Sequence, residues 1–166
     1  SHIKGTERIG YGAVFIYNGK EYTLSGTELS EEVKELRNLF PKAKFSNVTM
    51  EMLAIVLALE TIASLNIAEH IQINQDYPGA VNYHNLWNYS EGSLQRAPKP
   101  WKAKEIYIKH LVDKAETAIK QIEANGGSVK FNWVKGHQKA GTEQAMMNDL
   151  ADKYAKSRDT HNDFSN

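Results

Sequence analysis

The chain has 166 residues, 41% of them hydrophobic, which suits one compact domain around a single core. Its 20 basic and 20 acidic residues cancel, so no global field attracts a polyanion and any nucleic-acid affinity has to come from local patches. There is no cysteine, which excludes disulfides and thiolate metal sites and leaves carboxylate oxygens and imidazoles as the metal ligands. The longest apolar run, Met52 to Leu59, is far shorter than the roughly 20 residues that cross a bilayer, and no signal-like segment opens the chain. The expectation is a soluble, cytoplasmic or otherwise intracellular protein without a membrane partner.

Gly10 to Tyr17 reads as a strand, Asn18-Gly19 as a tight hairpin turn, and Glu21 to Ser25 as the returning strand. Ser30 to Phe40 places Val33, Leu36, Leu39 and Phe40 at helical spacing and stops at Pro41. Thr49 to Asn66 carries a stripe of Met50, Leu53, Ala54, Leu57 and Ala58, with Asn47 or Thr49 as its cap, and is the best buried-helix candidate. The apolar run His70 to Asn74 reads as a strand, and the change of period suggests a βαβ crossover to a parallel neighbour. Pro78 to Trp87 suits a short helix, and Asn88 to Pro100 a polar loop.

Lys104 to Ala124 is a second strong helix, with Ile108, Leu111, Val112, Ala115, Ala118, Ile119 and Ile122 on one face and Asn125-Gly126-Gly127 as its stop. Ser128 to Val134 follows as a strand. After a glycine-bounded segment, Gly136 to Gly141, Thr142 to Ser157 reads as the last helix, and Arg158 to Asn166 as a frayed polar tail. No repeat and no linker divides the chain.

Three acids occupy informative positions: Glu51 in the first turn of a helix, Asp76 just past a strand, and Asp152 within the last helix. Singly, each has an ordinary structural reading: favourable charge at a helix N-terminus, a turn residue, and a solvated helix carboxylate. The segments around them change that. Gly10-Tyr11-Gly12-Ala13-Val14-Phe15 resembles the second strand of the ribonuclease H family, and Asn47-Val48-Thr49-Met50-Glu51-Met52-Leu53-Ala54 resembles its first helix. Ile71 to Tyr77 is similar to the strand that ends in a catalytic aspartate, and Trp133-Val134-Lys135-Gly136-His137 to the strand and loop that carry an auxiliary histidine. Asn148-Asp149-Leu150-Ala151-Asp152-Lys153-Tyr154-Ala155 resembles the closing helix, with an asparagine four residues before the last acid, a register that selects Asp152 over Asp149. Asp76-Tyr77-Pro78-Gly79, followed by Trp87 and Trp101, is closest to the viroplasmin-associated branch. The resemblance covers residues 1–157, leaving 158–166 as tail.

That resemblance implies an α/β fold, a ribonuclease H-like mixed sheet of about five strands flanked by helices. It implies endonucleolytic hydrolysis of the RNA strand of RNA–DNA hybrids by two divalent ions, Mg²⁺ with Mn²⁺ as a substitute, giving 5′-phosphate and 3′-hydroxyl ends. Oxygen-rich sites suit such hard ions, and a pair of them supplies a nucleophilic water and stabilises both the phosphorane-like transition state and the leaving oxygen. Glu51, Asp76 and Asp152 would be the metal ligands. His137 would relay protons or assist product departure, although a loop histidine taken alone is usually inert, and it precedes Asp152 by 15 positions, more than in many relatives. Asn47 and Gln75 are candidates for 2′-hydroxyl contacts, or equally caps and turn residues, and Asn148 joins them as a substrate contact. Trp101, Lys102 and Lys104, with Arg96, Lys99 and Lys109 nearby, form a basic and aromatic stretch that either meets the DNA strand or simply anchors a solvated loop.

The family's first strand, with one catalytic aspartate, is not matched within the sequence. It is expected to lie between the strands at 10–17 and 70–74, supplied upstream or by a second chain. The alternatives are a catalytically inactive hybrid-binding or scaffold module of the same fold, and a resolvase- or transposase-like nuclease.

Overall fold

The computed structural model describes residues 9–17, 19–45, 47–75, 105–133, 143–157 and 161–163. Strands β1 (Gly10–Tyr17) and β2 (Lys20–Thr27) form an antiparallel hairpin, in register from Gly10 opposite Thr27 to Tyr17 opposite Lys20. This leaves the expected two-residue turn, where Gly19 has φ 74°, a conformation that an L side chain adopts only with strain. The returning strand outruns its expected end at Ser25 because a polar corner holds it. The Thr27 amide donates to Ser30 Oγ at 2.8 Å, the Leu29 amide to Thr27 Oγ1 at 3.1 Å, and the Ser30 amide to the Thr27 carbonyl at 3.0 Å.

Ser30 occupies the N-cap position of α1 (Glu31–Leu39), with its hydroxyl turned back to the strand, and Glu31 and Glu32 bring negative charge to the first turn. Val33 and Leu36 are buried, whereas Leu39, expected on the same stripe, is half exposed. The helix ends as the Phe40 amide donates to the Leu36 carbonyl, one residue before Pro41. Tyr11 donates its hydroxyl proton to Glu32 at 3.3 Å; burial, reinforced by the Glu32 charge, pushes the phenol well above its ordinary pKa.

Helix α2 (Asn47–Ser64) begins two residues before the expected Thr49, which lies fully buried inside its first turn. The expected stripe is too narrow. Met52, Ile55, Val56 and Leu59 are as buried as Met50, Leu53 and Ala58, while Leu57 is only partly so. A helix apolar on most of its surface belongs in the middle of a core. Helix α3 (Glu105–Ala124) packs along α2 through Leu111, Val112, Ala115, Ala118 and Ile122, with Tyr107 an additional buried residue.

Strand β3 (His70–Gln75) pairs in parallel with β4 (Ser128–Trp133), from His70 beside Ser128 to Gln75 beside Trp133. The parallel neighbour is thus a later strand, reached through α3, and the crossover expected around α2 is not the one that makes the pair. The chain leaves α3 through Gly126 and Gly127, whose amides donate to the carbonyls of Glu123 and Ile122 at 2.9 Å each.

Helix α4 (Glu143–Lys156) lies against β1. The expected frayed tail is partly corrected: β5 (His161–Asn162) pairs antiparallel with β2, and Asp163 accepts the Thr23 amide on its carboxylate at 2.8 Å while its own amide donates to the Thr23 carbonyl at 3.1 Å. Among the described residues the strands form a three-stranded sheet, β1-β2-β5, and a two-stranded sheet, β3-β4. This is the expected ribonuclease H-like α/β arrangement of antiparallel and parallel pairs with flanking helices, divided between β1 and β3. Among the described residues, no helix is long and apolar enough to cross a membrane. The helix and loop expected over residues 78–100 lie outside the described residues.

Leu59 is fully buried on α2, so Leu59→Ala is expected to lower unfolding stability by roughly 2–5 kcal/mol in denaturant titration. A loss below about 0.5 kcal/mol, as for an exposed position, would contradict the central place given to α2.

Candidate active site

The position of α4 is set by the absence of a side chain on β1. A Cβ at Gly12 would stand 2.5 Å from the Ala151 carbonyl oxygen and 2.8 Å from the Ala155 backbone nitrogen. Only glycine permits this approach of strand to helix backbone. The sequence marks Gly12 as part of a motif without disclosing this reason for it. The packing turns Ala151 and Ala155 toward β1 and so fixes where the rest of α4 points.

Between the two sheets lies a groove of about 460 Å³, within the size range of ligand sites. Its walls come from β1 and β3, with Glu51, Ala54, Ile55, Ala58 and Ile62 of α2 and Met147 and Ala151 of α4 completing the lining. Glu51 lies half-buried on the groove wall. Asp152 follows the groove-lining Ala151 and remains partly exposed, and the Lys156 ammonium donates to its Oδ2 at 2.7 Å across one helical turn.

Helix geometry ranks the two acids of α4. At about 100° per residue, Asp152 lies about 100° around the helix from Ala151, and Asp149 about 160°. Asp149 is correspondingly exposed, on the side away from the groove.

The parallel pair supplies a second constraint. Gln75 and Trp133 are register partners at the carboxyl ends of β3 and β4, so the segments that begin with Asp76 and with Val134 leave from one end of the sheet. That end is where open parallel sheets commonly place ligands. Asp76 and His137 themselves lie outside the described residues, as do Trp101, Lys102 and Lys104. Asn47 is the first residue of α2, Gln75 the last of β3, and Asn148 lies in α4, but their side chains are outside the described set.

Among the described residues, no group of three or more His, Asp or Glu side chains is placed to hold a metal ion. The two described acids of the expected set, Glu51 and Asp152, are both hard oxygen donors, a chemistry that fits Mg²⁺ or Mn²⁺.

A family model described as RNase H matches residues 1–159. The chain belongs to the ribonuclease H family. This family comprises hydrolases that act on nucleic acid, in general on RNA–DNA hybrids. The match does not separate the viroplasmin-associated branch from the others. No curated protein matches the chain.

The ribonuclease H domain should be sensitive at Gly12 despite the absence of any reactive group there. Gly12→Ala is expected to cost about 1–3 kcal/mol by forcing α4 off β1. Denaturant titration measures this, and unchanged stability would show that α4 does not depend on the close approach.

Proposed function

We propose that this ribonuclease H domain cleaves the RNA strand of RNA–DNA hybrids endonucleolytically with two divalent ions, Mg²⁺ or Mn²⁺, leaving 5′-phosphate and 3′-hydroxyl ends. The observation that carries the reading is a convergence of three elements: Glu51 itself, Asn74 two residues before Asp76, and Ala151 beside Asp152 all line one groove. Glu51, Asp76 and Asp152 would hold the ions, which when bound supply an activated water and relieve charge on the phosphate and the leaving oxygen.

The remaining assignments concern the chain's own side chains. Glu51 is held half-buried on a helix whose other faces are packed, so its carboxylate reaches the groove with little freedom to reorient. Lys156 pins one Asp152 oxygen in the absence of another cation and would yield to a competing one. His137 would accept or return a proton as product departs. Asn47, Gln75 and Asn148 would contact the RNA strand, the first two at its 2′-hydroxyls, and Trp101, Lys102 and Lys104 the DNA strand. The reading includes an intracellular site of action.

Cleavage of a labelled hybrid, with matched duplex DNA and duplex RNA as controls, tests the proposal. Chelation of divalent ions should abolish cleavage and fresh Mg²⁺ should restore it. Asp76→Asn is expected to lower the single-turnover rate by more than the roughly 100-fold typical of residues that merely support a metal ligand. A wild-type rate would remove Asp76 from the site.

The same assay separates the acids of α4. Asp152→Asn should be severely impaired and Asp149→Asn close to wild type, with thermal melting confirming that both are folded. The reverse ranking would mean that Asp149 faces the substrate.

A further inference from the structure

Asp152 begins the last turn of α4, and a helix opens most easily at its ends, where the final carbonyls have no partner within the helix. The local holds on this turn are slight. Of residues 152–157 only Ala155 is buried, and one methyl group contributes far less than side chains such as Leu59, Leu111 and Ile122 that fasten α2 and α3. The Lys156–Asp152 ion pair spans the turn, but its side chains are 61% and 38% exposed, and pairs so open to water contribute little. Ser157 closes the helix from within, its amide and hydroxyl both donating to the Tyr154 carbonyl, at 3.2 and 2.8 Å. Of these holds, only Ala155 engages another element, through the close approach at Gly12.

A stronger hold comes from beyond the helix. His161 and Asn162 pair with Ser25 and Leu24, and Asp163 grips Thr23 at two points, its carboxylate accepting the Thr23 amide at 2.8 Å and its amide donating to the Thr23 carbonyl at 3.1 Å. Thr23, Leu24 and Ser25 are all buried, so this segment is fastened to the fixed interior of the first sheet. A hydrogen bond from a backbone amide to a carboxylate outweighs an exposed ion pair. The five peptide steps from Lys156 to His161 span at most about 18 Å, which keeps the end of α4 within short reach of that anchor.

We propose that His161–Asp163 is a strap that keeps the last turn of α4 closed and thereby positions Asp152, so that the tail sets how readily the site takes a divalent ion. Asp163 is then a positioning residue, acting through the helix end and touching neither ion nor substrate. The consequence for ion binding rests on the reading above, in which Asp152 is a metal ligand, whereas the closing of the turn does not. Two measurements keep these apart: amide exchange in metal-free protein reports the strap, and ion titration reports its link to Asp152.

Hydrogen exchange is measured by NMR on the full chain, isotopically labelled and free of divalent ions, as wild type, Asp163→Ala and Asp163→Asn. Alanine removes the acceptor, while asparagine keeps a carbonyl oxygen for the Thr23 amide. In Asp163→Ala the amides of residues 154–157 are expected to exchange about 10-fold faster, as for one lost hydrogen bond to a charged group, while those of 111–122 in α3 keep their rates. Asp163→Asn should recover most of the protection. Mn²⁺ is then added to the same samples, and the concentration that half-broadens the amide signals around Asp152 should rise several-fold in Asp163→Ala. Three exchange results would overturn the strap. One is acceleration confined to residues 23–25, which would make the tail a cover for β2 alone. Another is equal acceleration in α3, a general loss of stability, and the third is an asparagine variant as fast as the alanine one. An unchanged Mn²⁺ midpoint beside a faster-exchanging turn would overturn the link to Asp152. Wild-type signals around Asp152 that no Mn²⁺ concentration broadens would overturn both that link and the metal-ligand reading, leaving the strap to the exchange data.

Discussion

Among the described residues no hydrogen-bonded strand connects β1-β2-β5 to β3-β4, so the burial of α2 carries the connection between the sheets. Tyr11 and Leu24 from the first sheet join the buried cluster around α2, and Ile71, Ile73, Val129 and Phe131 from the second pack against it. Fully burying a side chain such as Met52, Val56 or Leu59 contributes on the order of 1.5–3 kcal/mol each, and α2 does this on several faces. Helix α3 lies along α2 and closes a further side. An amphipathic helix with one apolar stripe could serve one sheet, but this one serves both and α3 as well.

The same helix connects folding to chemistry. Glu51 is the acid among the apolar side chains near its N-terminus, and because its neighbours Met50 and Met52 are locked in the core, the carboxylate is positioned by packing that surrounds it. The opposite side of the groove is positioned differently, by a backbone contact. Gly12 lets α4 approach β1 until Ala151 and Ala155 meet the strand, which leaves Asp152 partly exposed beside the groove-lining Ala151 and Asp149 exposed. One acid thus depends on buried volume and the other on a missing methyl group. Neither dependence resides in the acid itself.

Separating the two sheets has an energetic consequence. Open strand edges are sites for pairing with other chains, and folded proteins commonly cover or interrupt them. Here β1 and β3 both line a groove whose remaining walls come in part from α2 and α4. At the far side of the first sheet, β2 is joined by β5, whose two residues and the Asp163 carboxylate occupy part of the remaining edge.

Local sequence determined the elements. Asn18-Gly19 specified the hairpin turn, Pro41 and the Asn125-Gly126-Gly127 run specified where helices stop, and periodicity specified α3 with nearly all of its buried face, because these signals act over a few residues. The order of motifs around Glu51, Asp76 and Asp152 also revealed the family, and the spacing within α4 ranked Asp152 over Asp149. Asp76, His137, Trp101, Lys102 and Lys104 fall outside the described residues. What the sequence could not supply was everything that depends on a distant partner. Burial of α2 on several faces requires two sheets and α3 at once, and the pairing of β3 with β4 joins residues more than fifty positions apart. The anchoring of the tail on β2 depends on a carboxylate meeting an amide 140 residues away. The need for glycine at position 12 exists only because another backbone comes to rest against it. Periodicity reports which face of an element is apolar, and only tertiary structure decides what that face, or an edge, meets.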